Sequence, residues 1–179
     1  PEDFSSWTDF NIFQAANAVQ APDLTLTAEK IRPSGATNFH YIYRDYALTA
    51  YNTFDGTGNT FDSDTETFDT GSSDTTQTFT SSLFLKADEY NEIRFVLNMD
   101  PGANQQRVAF DVNLSTGVVG SAVNNEGGLQ IDSYGAIPYG DGWYRVYVTA
   151  TFGFGFTTAR TFVVIKENGA DVYASTNTS

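Results

Sequence analysis

The chain has no cysteine, one methionine and one histidine in 179 residues. Without cysteine there is no disulfide, no thiolate nucleophile and no Cys-ligated zinc. The single histidine, His40, leaves a Ser-His-Asp system only one possible base, and it stands in an aromatic stretch, where a packing role is the simpler reading. Positive charge is scarce: 9 Lys and Arg stand against 22 Asp and Glu, a formal net charge of −13. Such a surface repels nucleic-acid phosphates and anionic lipid; it suits cation binding or a salty medium. No apolar run approaches the roughly 20 residues that a membrane-spanning helix needs. Long runs of the helix formers Ala, Leu, Glu and Lys are also missing. There is no initiator Met, since the chain opens at Pro1, so we expect a piece of a longer polypeptide.

What is present favours strands. There are 15 Phe and 10 Tyr, and Thr is plentiful. With 40% hydrophobic and 17% charged residues the composition is globular, and the length suits one domain, residues 1–179, with a sizeable core. The clearest pattern runs from Leu129 to Phe152 and reads as two strands joined by a turn. In its second half Tyr144, Val146, Val148, Ala150 and Phe152 fall on one face. Trp143, Arg145, Tyr147, Thr149 and Thr151 fall on the other, which makes a greasy face and an aromatic-cationic one.

Further strands are expected at 24–32, 38–51, 78–86, 92–99, 106–114, 118–123, 161–166 and 171–174. Phe4, Trp7, Phe10 and Phe13 recur at three-residue spacing and read as aromatic plugs for a core, on a helical turn or irregular segment. Ser115-Thr116-Gly117 and Glu167-Asn168-Gly169 read as turns. Residues 152–156, FGFGF, lack the third glycine and the strand-to-helix setting of a dinucleotide loop. Nine or ten short strands without helix point to an antiparallel sandwich or barrel.

Residues 52–82 are unusual. Phe-Asp pairs recur every seven residues at Phe54, Phe61 and Phe68, in a background of Thr, Asp, Ser and Gly. One apolar residue per repeat among helix-poor residues does not make a coiled coil. We expect a long acidic segment at about 52–76, pinned by its three Phe side chains, with a short strand inside 52–82. Apolar residues on a polar loop need burial, and docking of Phe54, Phe61 and Phe68 on a neighbouring subunit would supply it.

The order of features resembles that of the carbohydrate-binding-module-like jelly-roll domains found in tail fibres and other structural proteins of tailed bacteriophages. EDFSSW (Glu2 to Trp7) is similar to the opening of that family, APDLTLTAEKI (Ala21 to Ile31) to its next strand, and HYIYRD (His40 to Asp45) to the one after. SLFLKA (Ser82 to Ala87), FDVNLSTGVV (Phe110 to Val119) and GDGWYRVYVTATF (Gly140 to Phe152) resemble three later strands. Two departures stand out. The Phe-Asp repeat looks like an insertion, and the Trp-Gly pair usual near the family's last strand is absent from DVYASTNTS. The resemblance implies an all-β, antiparallel two-sheet jelly-roll β-sandwich on a virion surface or another extracellular structure. It also implies partners that are copies of itself or other virion proteins, and contact with host polysaccharide.

Sugar C–H faces stack on aromatic rings, and sugar hydroxyls bond to planar polar groups. The candidates for that role are Tyr139, Tyr41, Tyr43, Trp143, Arg145 and Tyr147. For Trp143, Arg145 and Tyr147 a packing role competes, because an Arg between aromatics is often a cation–π rung. No cofactor is demanded. A structural calcium ion is the one candidate: related modules hold calcium near the N-terminus, where Glu2 and Asp3 stand here. Asp62, Asp64, Glu66 and Asp69 lack the glycine-containing loop that folds carboxylates round an ion. None of the acids has a recognisable glycosidase context, so the expectation is a protein that is not an enzyme. The expected function is therefore a virion structural and attachment domain that binds glycan. The alternative is a pure assembly module: a fibre spacer, capsid decoration or extracellular filament subunit.

Overall fold

The computed structural model describes residues 6–48, 76–99, 106–124, 130–153 and 156–174. Glu2, Asp3, Phe54, Phe61 and Phe68, and with them the calcium and subunit-docking expectations, lie outside the described residues. The strands in chain order are β1 (Thr8–Phe10), β2 (Ile12–Val19), β3 (Ala28–Pro33), β4 (Thr37–Phe39), β5 (Tyr41–Ala47), β6 (Thr76–Lys86) and β7 (Glu92–Met99). There follow β8 (Gln106–Asn113), β9 (Val118–Val119), β10 (Val123–Asn124), β11 (Gln130–Gly140), β12 (Trp143–Gly153), β13 (Thr158–Lys166) and β14 (Val172–Ala174). No α-helix occurs among the described residues.

The protein is an all-β antiparallel sandwich. Its larger sheet has the order β1-β5-β13-β7-β8-β10, with β9 also on β8. Its smaller sheet has the order β11-β12-β6. Two further pairs, β2 with β3 and β14 with β4, flank them. The chain passes from the larger sheet at β5 to the smaller at β6, and back from β12 to β13. The outgoing strands pair with the returning ones, β5 with β13 and β6 with β12.

Period-two alternation builds the core. Val146, Val148, Ala150 and Phe152 of β12, with Leu83 and Leu85 of β6, form the inner face of the smaller sheet. They meet Ile93, Phe95, Leu97 and Met99 of β7, Val108, Phe110 and Val112 of β8, and Ala159, Val163 and Ile165 of β13. Phe95, Phe110 and Phe152 are fully buried, each contributing about 1.5–3 kcal/mol by leaving water. Within this apolar layer the hydroxyls of Ser81 (β6) and Thr161 (β13) bond to each other at 2.7 Å, so both stay satisfied and the two sheets are tied.

The expected strands at 78–86, 92–99, 106–114 and within 129–152 all form, with ends moved by a few residues. Four expectations need correction. Residues 12–19 form β2, although Ala15, Asn17 and Ala18 are exposed and show no apolar alternation; β2 pairs only with β3 and bulges at Asn17, whose φ is 52°. The strand expected at 24–32 begins only at Ala28, because a turn precedes it. The strand expected at 118–123 is two separate two-residue strands, β9 and β10, each paired with β8. The strand expected at 38–51 breaks at His40, which is fully buried; its Nδ1 pairs with the Asn11 carbonyl at 2.7 Å, and its own carbonyl accepts from the Ile165 amide. Of the aromatic plugs, Trp7 is buried, whereas Phe10 and Phe13 are 39% and 51% exposed on strands. Phe4 lies outside the described residues.

On the outside of the larger sheet, four charges close a ring. Arg94 is bidentate to Asp111 and also holds Asp171, and Lys166 reaches Asp111 at 2.6 Å and Asp171 at 3.6 Å. Burial raises the Asp111 pKa, but hydrogen bonds from Arg94 and Lys166 outweigh it and hold the carboxyl below its ordinary value. This ring ties β7, β8 and β13 to the segment that leads into β14.

Both expected turns form. At 113–117 the Asn113 carboxamide oxygen accepts from the Ser115 and Thr116 amides, and Gly117 follows with φ of 74°. A Cβ at Gly117 would lie 2.5 Å from Tyr144 Cε1. Gly117→Ala therefore combines backbone strain with a steric clash, and should lower unfolding free energy by about 1–3 kcal/mol in urea titration. Unchanged stability would contradict the packing of Tyr144 against this turn.

Candidate functional site

The six aromatic and cationic candidates fall into three places. Tyr41 and Tyr43 project from β5 to the outer face of the larger sheet. There Phe10 stacks on Tyr41 with centroids 5.0 Å apart and planes 14° apart, and Phe162 touches both tyrosines. The Arg160 guanidinium lies 4.1 Å from the Tyr43 ring centre and is itself bidentate to Asp45. This is a closed aromatic-cationic stack whose ring faces are largely spent on each other.

Arg145 and Tyr147 project from β12 to the outer face of the smaller sheet. Arg145 donates to the Ser82 hydroxyl at 3.3 Å. The Tyr147 ring lies against Gly135 of the paired strand, so that a Cβ there would come within 3.3 Å of it. Beside them Thr78 bonds Thr151, Thr80 bonds Thr149, and Asp132 accepts from Thr151 and Gln130. The threonine pairs and the Thr151–Asp132 bond cross between strands and stabilise the sheet surface.

Tyr139 and Trp143 belong to a third place, an open cleft of about 520 Å³ at one end of the sandwich. The turn between β11 and β12 creates their position. Asp141 and Gly142 are the two residues of a tight hairpin with positive φ (49° and 78°), the geometry that matches strand twist. The ladder slips between Pro138 and Gly140, so Tyr139 is an extra residue that projects outward and is 59% exposed. Its ring meets Phe84 of β6 edge-on at 4.8 Å. Core residues Leu85, Ile93, Leu114 and Ile165 line the depth of the cleft, and the β2–β3 hairpin forms its far wall.

That wall carries the charges. Lys30 of β3 reaches across to the β6–β7 connection, where its ammonium meets Asp88 at 2.7 Å and Glu89 at 2.6 Å. The hydrogen bond from Lys30 holds the Asp88 carboxyl below its ordinary value of 3.8, and the bonds Lys30 donates to Asp88 and then Glu89 raise Lys30 above 10.5. Glu29 and Asp23 also line the cleft. Asp23 closes the turn at the hairpin tip by accepting from the Thr25 amide and hydroxyl. In that turn Leu24 adopts φ of 67°, rare for a leucine, and Leu24 and Leu26 face solvent.

Phe84, Tyr90, Lys30, Asp88 and Glu89 were not among the sequence candidates. The one local signal for them is Asp88-Glu89-Tyr90, an acidic-aromatic tripeptide between two strands. Its partner Lys30 lies 59 residues away from Glu89. Among the described residues no three His, Cys, Asp or Glu gather as a metal site would require. No described helix is long and apolar enough to cross a membrane. No protein-family model matches the chain, and no curated protein matches its sequence.

The Lys30 latch has a defined pH window. A carboxylate with a depressed folded pKa stabilises above its ordinary value and loses that stabilisation as pH falls through the folded value; a raised lysine stabilises below its ordinary value and loses it as pH rises through the folded one. The latch is therefore intact between about pH 4 and 10.5. NMR titration of the Asp88 carboxyl carbon should give a midpoint below 3.8 that moves upward in Lys30→Met. A midpoint indifferent to Lys30→Met would show that the latch does not form in solution.

Proposed function

We propose that this chain is a non-enzymatic attachment domain of a tailed-phage particle, and that it binds a host-surface glycan in the cleft between the β2–β3 hairpin and the β11–β12 turn. The observation that carries the reading is the meeting of the outward Tyr139 ring, Phe84 and Trp143 with a wall of carboxylates around Lys30. Aromatic surface takes sugar C–H faces, and the carboxylates and the ammonium take hydroxyls. Small-molecule sites are concave, mostly apolar and furnished with a few convergent polar groups, as this cleft is. Pairing of β5 with β13 and of β6 with β12, with both connections crossing between sheets, supports a jelly-roll topology. Hydrolysis has little support. A general acid needs a raised pKa, and Asp88 moves the opposite way. His40 is enclosed and bonded to Asn11.

A second reading, a pure assembly module, draws on the exposed rings of Phe10, Phe13 and Phe39. Partly exposed aromatic side chains suit contact with copies of this chain or with other virion proteins.

The two tryptophans report separately, because Trp7 is buried and Trp143 lines the cleft. Oligosaccharide titration followed by the fluorescence of a Trp7→Phe variant should show saturable binding at Trp143. Tyr139→Ala should weaken it roughly tenfold or more, as loss of a central aromatic contact does. A larger loss from Tyr41→Ala than from Tyr139→Ala would move the site to the other sheet. Silence across a broad glycan array would leave the assembly reading standing.

A further inference from the structure

The charge on the cleft wall restricts which glycan fits. Four carboxylates, Asp23, Glu29, Asp88 and Glu89, stand against two ammonium groups, Lys30 and Lys86. Lys30 is already held by both Asp88 and Glu89, so its charge is spent within the protein. Each of those carboxylates uses one oxygen on Lys30: Oδ2 of Asp88 and Oε1 of Glu89. The side chains of Asp88 and Glu89 are 61% and 39% exposed, so a ligand can reach this carboxylate pair, which lies beside Lys86 as well as Lys30. The formal charge of −13 on the whole chain adds a long-range field of the same sign.

We infer that the cleft selects glycans bearing a free, protonated amine, hexosamine units rather than neutral or acidic ones; this rests on the reading of the cleft as a glycan site. The ammonium would take charge-assisted hydrogen bonds from Asp88 and Glu89, and the sugar ring would lie against Tyr139 and Trp143, whose π faces also favour a cation. A carboxylated or phosphorylated sugar would bring like charge to a negative wall, and the mismatch would reject it.

The test titrates the full chain with three oligosaccharides of equal length: a β-1,4-linked glucosamine oligomer at a pH where its amines are protonated, its N-acetylated counterpart, and an oligogalacturonate. The amine form should bind about tenfold tighter than the acetylated form, with the uronate weakest. Raising the salt concentration should shrink the amine preference, because it is electrostatic. Glu89→Gln and Asp88→Asn should pull the amine-to-acetyl ratio toward one, provided their melting temperatures match the parent. Equal binding of amine and acetyl forms, or tighter uronate binding, overturns the charge selection and leaves the glycan site in place. Failure of all three, together with silence on a broad array, overturns the glycan site itself. The salt dependence is read on the unmodified protein, so the inference does not hang on variants that fold poorly.

Discussion

The structure depends on burial of one row of side chains, Val146, Val148, Ala150 and Phe152, against the inner faces of β7, β8 and β13. The strand that carries this row, β12, is the centre of a three-stranded sheet and is paired along its whole length with β6, from Trp143 opposite Lys86 to Gly153 opposite Thr76. A slip of one residue would turn the apolar row outward and send Arg145 and Tyr147 into the core. The register is therefore held by burial. Everything on the outer face, including the threonine ladder and the Tyr147–Gly135 contact, inherits its position from that inner packing.

The cleft is a consequence of how the sandwich ends. The hairpin after β11 turns tightly enough to leave one extra residue, Tyr139, outside the ladder. The β6–β7 connection is short and acidic, and the β2–β3 hairpin is joined to it by Lys30. A surface ion pair contributes only about 0–1 kcal/mol, so the latch adds little to global stability. Its effect is positional: it ties the β2–β3 hairpin to the β6–β7 connection. The charge ring on the larger sheet is different in kind. Lys166 is 5% exposed there, and an unpaired charge at such a site would be costly.

Legibility in the sequence followed the physics of each element. Strands β7, β8 and β12 carry an apolar residue at every second position of their core face, so their existence and facing could be read from the sequence, although Val96, Asn98 and Ala109 are buried on the opposite face as well. Strand β2 carries no such signal, since it pairs only with β3, sends Ile12 to the core and leaves Ala15, Asn17 and Ala18 in solvent. Trp143 and Tyr139 could be singled out as aromatics next to a turn. That Tyr41 and Tyr43 lie on the other sheet, in a stack closed by Phe10, Phe162 and Arg160, could not. Alternation gives the face of a strand but not the sheet it joins.

By itself the sequence determined the all-β class, the inward rows and the turns at Gly117 and Gly169, because period two and positive φ are local properties of the chain. Its excess of acids also set the sign of the field around the molecule. Only the tertiary structure decided which aromatics face a cleft and which are spent on one another. It alone decided that Lys30 meets Asp88 and Glu89, and that a histidine is buried against Asn11. Those contacts join residues far apart in the chain, and their partners are chosen by the packing of the two sheets, for which no short stretch of sequence carries a code.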